Sequence, residues 1–315
     1  MTEGYRALRD SAAWLALDTR GRFQARGRDR VRFLHNVTSN EVKKMTPGSG
    51  CYAFLLTAQG RIQADLHLFC FPDRFLIDTE ADLRAKLPGL ILKYKVADQF
   101  ELDDVTDTTA SLAVEGPGAE AALAACGSPI PAADCAHAAW GECTVARVSL
   151  TGQPGFRLYG PPASRTGWVA QLETAGVRPA TGDDARLVRI ENGKPRYGDD
   201  IRDTSLPQET GQLHAVSFTK GCYLGQEIVE RIRTQGRLNW KLVRVEIAAS
   251  APVSAGLKLT AKGEEAGEVT SWVFSPRAAK VVALARVRSQ FAEPGTALAA
   301  GDAAGNQSAL VTLPC

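Results

Sequence analysis

The chain lacks any apolar run approaching the roughly 20 residues that span a bilayer. Its first residues, Met1–Arg6, also lack the apolar stretch of a signal peptide. We therefore expect a cytoplasmic protein with no membrane partner. An excess of one charge is missing too, because 37 Lys and Arg residues nearly balance 35 Asp and Glu residues, for a formal net charge of +2. Such a balance gives the whole molecule no electrostatic attraction to nucleic acid or anionic lipid.

Ligands for a resident metal are scarce as well. The seven cysteines form no Cys-x-x-Cys pair, and the chain has only four histidines. Closed zinc and iron–sulfur sites draw on close ligand pairs or several histidines, so we expect no metal site. The nearest approach to a cluster has loose spacing in an alanine-rich stretch, and we interpret it as fortuitous: Cys126, Cys135, His137 and Cys143.

What the chain does have is mixed strand and helix periodicity over 315 residues, enough for two or three packed units. This mixture predicts the α+β class with mostly antiparallel sheets. Predicted strands lie at 21–27, 52–57, 62–71, 75–79, 100–104, 111–115, 144–149 and 156–159. Predicted helices lie at 31–45 (with a division near residue 38), 82–95 (with a break at Pro88–Gly89 as the alternative), 118–126, 167–175 and 185–191.

The pattern changes near residue 241. Short strands separated by Gly, Pro and Ser follow, with almost no helical periodicity, at 241–248, 257–261, 266–273, 280–287 and 308–313. Such a series predicts a compact β-barrel. We therefore divide the chain into a body of residues 1–238 and a C-terminal β-barrel of residues 239–315.

Arginines at even positions put positive charge on one face of an extended segment: Arg20, Arg22, Arg26, Arg28, Arg30 and Arg32. A basic strip can contact phosphate or RNA. Only one aromatic residue, Phe23, lies among these arginines, too few to stack on successive bases. We interpret the strip as solvated surface and expect no direct nucleic-acid binding.

The most informative segment is Lys220–Glu227, with sequence KGCYLGQE. Residues 216–218 before it read as a short strand, and four-residue apolar steps after it predict an amphipathic helix. Gly221 permits a tight turn between the two. Cys222 then lies near a helix N-terminus and two residues from Lys220, and both features favour thiolate over thiol. The alternative is a buried, inert cysteine that fills a strand–helix corner.

This octapeptide resembles the signature of the YgfZ family, folate-binding relatives of the glycine-cleavage T-protein that support iron–sulfur enzymes. The similarity extends over nearly the whole sequence, through Phe33–Leu34, Thr38–Asn40, Gly60–Ile62, Asp65–Leu66, Gly116–Pro117, Arg189–Gly193, Pro207–Glu209, Gly267–Ser271 and Ser275–Pro276. It implies a T-protein-like folate-binding body of two lobes plus a C-terminal barrel, arranged around a central cavity. Tetrahydrofolate or a related folate is the implied cofactor.

The resemblance also implies roles for single residues. Cys222 would face the folate cavity, available for thiol–disulfide exchange or transient cluster ligation. Lys220 would tune the pKa of this thiol. The rest of the signature would shape the turn and contact the folate: Gly221, Tyr223, Gln226 and Glu227.

Three further candidates lie outside the signature. Asp65 matches one of two adjacent aspartates that serve folate chemistry in the T-protein, whereas Ala64 replaces the other; the alternative is a capped aspartate at a strand edge. Arg189, near the end of a predicted helix, can clamp the glutamate tail of a folate in bidentate fashion. Glu191 is assigned to the same folate site.

One stretch departs from the T-protein pattern. Leu150 stands where the T-protein has a tyrosine, and Arg157 stands where it has a glutamate that bonds the pterin ring. An arginine has no acceptor for pterin N–H groups. The departure argues against aminomethyl transfer.

Three hypotheses follow. The first is a YgfZ-like accessory protein whose Cys222 supports iron–sulfur cluster assembly or repair, with radical tRNA-modifying enzymes as clients. The second is a folate-dependent aminomethyl- or methyltransferase with Asp65 as its acid–base group. The third is a binding module whose cysteine is only structural.

Overall fold

The computed structural model describes residues 1–236, 238–248, 253–302 and 305–314. Its α-helices are α1 (Glu3–Asp10), α2 (Arg30–Val37), α3 (Leu87–Leu92), α4 (Ala119–Ala125), α5 (Ser164–Thr174), α6 (Gly182–Glu191) and α7 (Gln226–Gln235). Short 3-10 helices lie at Ala81–Leu83, Thr106–Thr108, Pro207–Thr210, Leu213–Ala215 and Ser289–Phe291. No helix in the described ranges is both long enough and apolar enough to cross a membrane.

The strands in chain order are β1 (Ala13–Ala16), β2 (Gly21–Arg26), β3 (Gly50–Leu56), β4 (Ile62–Cys70), β5 (Phe75–Thr79), β6 (Glu101–Asp104), β7 (Ala110–Glu115), β8 (His137–Trp140), β9 (Cys143–Ala146), β10 (Gly155–Gly160), β11 (Arg178–Pro179), β12 (Trp240–Ile247), β13 (Lys258–Ala261), β14 (Glu264–Ser275), β15 (Lys280–Arg288), β16 (Ala297–Asp302) and β17 (Gly305–Pro314).

The first lobe of the body is a five-stranded antiparallel sheet in the order β3-β4-β5-β2-β6. Alternation along its strands directs one set of side chains toward α2, where Phe23, Phe33, Leu66 and Phe75 are almost completely buried. The opposite set, which includes Asp65, faces the middle of the molecule. The meander predicted from residues 52–79 is confirmed.

The second lobe is a six-stranded sheet in the order β11-β1-β7-β10-β9-β8. Only the short β1–β11 pair is parallel; the other pairs are antiparallel. The predicted α+β class with mostly antiparallel sheets is therefore confirmed. Helix α6 packs against this lobe and, through Ile190, against Val273 and Val282 of the barrel.

The C-terminal unit is a closed barrel in the order β12-β15-β14-β13-β16-β17, so the predicted barrel is confirmed. Its interior is filled mainly by valine and alanine, such as Val245, Ala283 and Val287. Sequence periodicity misses β16, because its ALAAGD sequence lacks the β-branched residues that mark strands. The domain boundary at 238/239 stays a prediction.

Three predicted elements differ from the structure. No helix follows residue 38 within the predicted range 31–45, since α2 ends at Val37. The helix expected at 82–95 divides into the 3-10 turn Ala81–Leu83 and α3. Pro88 lies in the first turn of α3, where its missing N–H costs nothing, so a helix begins there rather than passing through. Residues 216–218 form no strand, although Ser217 N donates to Ser39 O at 2.9 Å.

Candidate functional site

A small polar cavity lies between the two lobes, and we call it the inner cavity. Its volume is about 60 Å³. An adjoining depression of about 490 Å³, the outer recess, opens toward Leu17, Ala180 and Arg186. The two share wall residues Glu80, Leu150, Arg189 and Arg196. Six further residues that line the inner cavity are Tyr52, Asp65, His67, Arg157, Lys194 and His214.

Asp65 lies in β4 with its side chain in the inner cavity, as the alternation of that strand requires. Tyr52 donates a hydrogen bond to Asp65 Oδ2 at 2.9 Å, and Asp65 Oδ1 is buried without a partner among the residues that the structure describes. Burial and the nearby negative charge of Glu80 raise the pKa of Asp65 to about 6. The carboxyl can therefore take up or release a proton close to neutral pH.

A buried ionic network supports this carboxyl. Asp78 accepts from Arg20 and Arg157, each at 2.7 Å, and from the hydroxyl of Tyr159 at 2.9 Å. Glu80 accepts from Arg20 and from Arg196. Burial alone would raise the pKa of Glu80, but these cations lower it to about 2. Glu80 is therefore a fixed negative charge beside Asp65.

Lys194 adds a further basic group to the wall of the inner cavity. Burial lowers the pKa of Lys194, partly offset by the charge of Glu115. Lys194 O accepts from Arg189 at 2.9 Å, whereas Lys194 Nζ has no hydrogen-bond or ion-pair partner in the ranges that the structure describes. Glu115 itself is engaged by the turn that begins at Ser149, accepting from Thr151 N at 3.1 Å and Thr151 Oγ1 at 2.6 Å.

Aromatic rings close one side of the inner cavity. Tyr52 lies between two imidazoles, with its ring centroid 4.8 Å from that of His67 and 5.5 Å from that of His214. Burial lowers the pKa of His67 well below its ordinary value. His67 is therefore neutral and adds no charge to the site.

Arg189 lines the inner cavity, but its guanidinium is engaged by the protein. It donates to Asp200 at 2.6 Å, to Asp199 at 3.0 Å and to the carbonyl of Lys194. A folate tail would have to compete with two carboxylates for this group, so the clamp expected at Arg189 stays a prediction.

Glu191 does not line the inner cavity, contrary to its assignment to the folate site. It accepts hydrogen bonds from Tyr5 at 3.0 Å, from Arg9 at 2.9 Å and from Ser275. These contacts fix α1 and β14 to the end of α6. The role that this geometry supports for Glu191 is structural.

Within the signature, Lys220 is buried against the C-terminal end of α2. Its ammonium donates to the carbonyls of His35, Thr38 (2.7 Å) and Asn40 (2.9 Å). These include carbonyls that the end of a helix leaves unpaired, and a cation there also complements the helix dipole. Burial lowers the pKa of Lys220 to about 8. Lys220 therefore caps α2 rather than facing the thiol as expected.

Cys222 is exposed and lines a surface groove of about 460 Å³ with Phe33, Val37, Tyr94 and Tyr223, which we call the thiol groove. Its lining shares no residue with that of the inner cavity. The expectation that Cys222 faces the folate cavity is therefore not supported. Of the six cysteines within the described ranges, Cys222 alone is exposed.

The turn glycine of the signature is Gly225, not Gly221. Gly225 has φ +82°, and a Cβ there would lie 2.5 Å from Thr57 O. Only glycine combines that conformation with such a close approach. Gly221 has no positive φ, and a Cβ there would meet open space.

The remaining signature residues also lie away from the inner cavity. Tyr223 is buried beside Phe54 and Val229. Glu227 is exposed and pairs with Arg231 at 2.8 Å, as an amphipathic helix predicts. Gln226 begins α7 and is half-buried. No folate contact for any of these residues, or for Gly221, follows from the geometry.

Asn40 connects the two regions. Its side-chain amide donates to Tyr52 O and His214 O, both at 2.8 Å, and its backbone carbonyl accepts from Lys220 Nζ.

Two residues of the inner cavity, Tyr52 and Lys194, were not predicted from the sequence. The β3–β4 register offered a signal for Tyr52, since Phe54 pairs with Asp65 and period-two alternation then places Tyr52 on the same face.

Two family models together match most of the chain. The GCVT N-terminal domain matches residues 1–220, and the glycine cleavage T-protein C-terminal barrel domain matches residues 241–314. The chain belongs to the glycine cleavage T-protein family. Membership agrees with the folate ligand expected from sequence and says nothing of the narrower YgfZ assignment.

Relatives within the T-protein family are named aminomethyltransferase. The one from Caldanaerobacter subterraneus subsp. tengcongensis is 28% identical over 92% of this chain and 81% of its own length. The one from Geobacillus kaustophilus is 30% identical over 93% and 84%. The crystal structure of glycine cleavage system aminomethyltransferase T from Bartonella henselae matches with a TM-score of 0.89 at 21% identity, covering 98% of this chain and 87% of that one. This match confirms the T-protein fold.

Proposed function

We propose that this T-protein relative is a YgfZ-type, folate-binding accessory protein for iron–sulfur cluster assembly or repair, with radical tRNA-modifying enzymes as clients. The observation that carries the proposal is the exposed thiol of Cys222 in a groove lined by Phe33, Val37 and Tyr94. The loop that presents it is fixed on both sides, by the Lys220 cap and by Gly225. A thiol in a rigid, accessible loop suits contact with a second protein.

Two kinds of chemistry are open to this thiol. As a thiolate, Cys222 can be a transient ligand to iron held by a client. It can also attack a client disulfide, which forms a mixed disulfide and releases one client thiolate. Neither step needs a further reactant.

The test uses cells that lack the endogenous protein. Cys222→Ser should fail to restore a cluster-dependent tRNA thiolation that the wild-type chain restores. Cys126→Ser is the matched control, because Cys126 is a half-buried cysteine in the other lobe. Full restoration of tRNA thiolation by Cys222→Ser would show that the function does not need the Cys222 thiol.

The residues of the inner cavity fit a folate. A pterin presents ring N–H groups and a ring carbonyl, and the cavity is lined by the carboxyl of Asp65, whose Oδ1 has no partner within the described ranges, and by the basic side chains of Arg157 and Lys194. At about 60 Å³ the cavity has room for only one edge of a ring, and the outer recess of about 490 Å³ has room for the rest of a ligand. Asp65, Arg157 and Lys194 would hold that edge, and tetrahydrofolate would supply a one-carbon carrier.

The second candidate is a folate-dependent aminomethyltransferase. It is favoured by the names of the relatives and by Asp65, whose pKa of about 6 suits proton transfer near neutral pH. The basic side chain of Arg157 argues against it. Aminomethylated carrier protein and tetrahydrofolate should then give methylenetetrahydrofolate with the wild-type chain, and none with Asp65→Asn. If neither chain gives the product, the aminomethyltransferase is excluded.

A further inference from the structure

The thiol groove is bordered by a short exposed apolar segment. Three of the eight large apolar side chains that are exposed in the described ranges lie within the five residues Leu92–Val96, at the end of α3 and just beyond it. Val96 is 93% exposed, Tyr94 37% and Leu92 36%. Tyr94 also lines the thiol groove together with Cys222. Exposed apolar side chains that are clustered beside a groove are typical of a surface that binds another molecule.

The same segment carries two positive charges. Lys93 and Lys95 alternate with the apolar residues, and both are exposed. Neither lysine has an ion-pair partner among the residues that the structure describes. The nearby carboxylates of Asp29 and Asp98 are both held by Arg32, at 3.4 and 2.7 Å. The unpaired charge that the segment offers to a partner is therefore positive.

These features define the chemistry of the occupant. The apolar side chains of the segment and the aromatic residues that line the groove suit an apolar side chain of a partner, and the two lysines suit carboxylates that flank it. A protein segment can present both, and it can also bring a sulfur atom to Cys222. A nucleic acid fits less well, because the segment has one aromatic ring and no series of rings on which bases could stack. A lipid surface would leave the concave groove unfilled.

We propose that the thiol groove and the segment Leu92–Val96 together bind an acidic segment of a partner protein that carries an apolar side chain, and that this binding brings a partner sulfur to Cys222. The inference rests on the proposed role of the Cys222 thiol in contact with a second protein. It adds what selects that protein, which is the pair of lysines and the apolar side chains beside the thiol. Because the lysines are exposed, salt should weaken the selection.

The experiment follows thiol–disulfide exchange with synthetic peptides whose single cysteine carries 5-thio-2-nitrobenzoate. Attack by the Cys222 thiolate forms a protein–peptide disulfide and releases the coloured thionitrobenzoate thiolate, so no further oxidant is needed. Three peptides of equal length are compared: acidic residues around a phenylalanine, acidic residues around a glycine, and lysines around a phenylalanine. The first should react about 10-fold faster than either of the others. About 1 M salt should remove its advantage over the third.

Substitutions test the two features separately. Lys93→Glu combined with Lys95→Glu should make the basic peptide the faster one, whereas Lys262→Glu, at an exposed lysine of the barrel, should change no rate. Val96→Asn should slow only the peptides that carry phenylalanine. The rate measured with Cys222→Ser is subtracted throughout, because it reports the other cysteines. Thermal melting of each variant verifies that it is folded.

The outcomes separate this inference from the proposed function. Equal rates for the three peptides would overturn the selection while leaving a reactive thiol in place. Rates no higher than those of Cys222→Ser would overturn the selection together with the thiol chemistry of the proposed function. Binding to phosphatidylglycerol vesicles or to bulk tRNA that the charge reversal abolishes, without a preference among the peptides, would assign the lysines to that ligand and overturn the protein partner.

Discussion

At the scale of single residues, Asp65 is a buried carboxyl whose ionised form is destabilised by its surroundings. Its pKa is raised to about 6 in the folded chain because the carboxylate is buried beside Glu80. In the unfolded chain the pKa of an aspartate is about 3.9. Between these values the folded state binds more protons than the unfolded state, so the contribution of Asp65 to stability falls as pH rises. A carboxylate kept ionised at such a cost is typical of a functional site.

Asp65→Asn should therefore be more stable than the wild-type chain at pH 7, and this gain should be absent at pH 4. The difference of about two pKa units corresponds to an upper bound of about 3 kcal/mol, and we expect a gain of about 1–2 kcal/mol at pH 7 that disappears by pH 4. Urea unfolding at both pH values measures it. Asp203→Asn, at an exposed carboxylate, should show no such pH dependence. A loss of stability at pH 7 would contradict the argument.

At the scale of elements, the signature loop and α2 form one unit. The three carbonyls that Lys220 satisfies lie at or just beyond the end of α2, and the Lys220 ammonium lies 4.9 Å from the centre of the Tyr223 ring. The other end of α2 is also held by a contact from outside the helix. Asp29 occupies the N-cap position, but its carboxylate accepts from Gln99 N at 2.9 Å rather than from the helix. Long-range contacts hold both ends of α2.

Lys220→Met should destabilise the protein by about 2–4 kcal/mol, because buried carbonyls lose their donor. The pH profile of Cys222 labelling by a thiol reagent should change little, since the ammonium is engaged elsewhere. Urea unfolding and labelling rates measure the two effects. Lys43→Met is the exposed control. Wild-type stability with a shifted labelling profile would restore the tuning role first expected of Lys220.

At the scale of the whole molecule, one carboxylate joins three parts of the chain. Glu191, at the end of α6, accepts hydrogen bonds from Tyr5 and Arg9 of α1 and from Ser275 of the barrel. Glu191 is only 8% exposed, so its loss would leave the guanidinium of Arg9 without its charged partner in a mostly buried position. Breaking a buried pair costs much more than breaking a surface pair.

Glu191→Gln should destabilise the protein by about 2–4 kcal/mol, and it should separate the thermal unfolding of the barrel from that of the body. Differential scanning calorimetry would show one transition for the wild-type chain and two for the variant. Glu173→Gln, at an exposed position of α5, should preserve a single transition. A single, unshifted transition in Glu191→Gln would show that other contacts couple the units.

The strands and the barrel could be predicted from the sequence, whereas most of the residues that meet in the inner cavity could not. Period-two alternation is a local signal, so the meander of β3, β4 and β5 could be predicted, and so could the barrel after residue 240. Asp65 was singled out by resemblance, and its side chain lies in the inner cavity. Lys194 and Glu80 reach the same cavity from distant parts of the chain. Only tertiary packing brings them together, and no local pattern reports it.

The separation of the thiol groove from the inner cavity has a consequence for assembly. Because the two depressions have no wall residue in common, a pterin in one leaves the other open to a docked protein. A complex of this protein with a folate and a docked protein at the same time is therefore sterically permitted. Any influence of a bound folate on the Cys222 thiol must pass through intervening groups, and Asn40, which donates to Tyr52 O and accepts from Lys220, is one residue that contacts both regions.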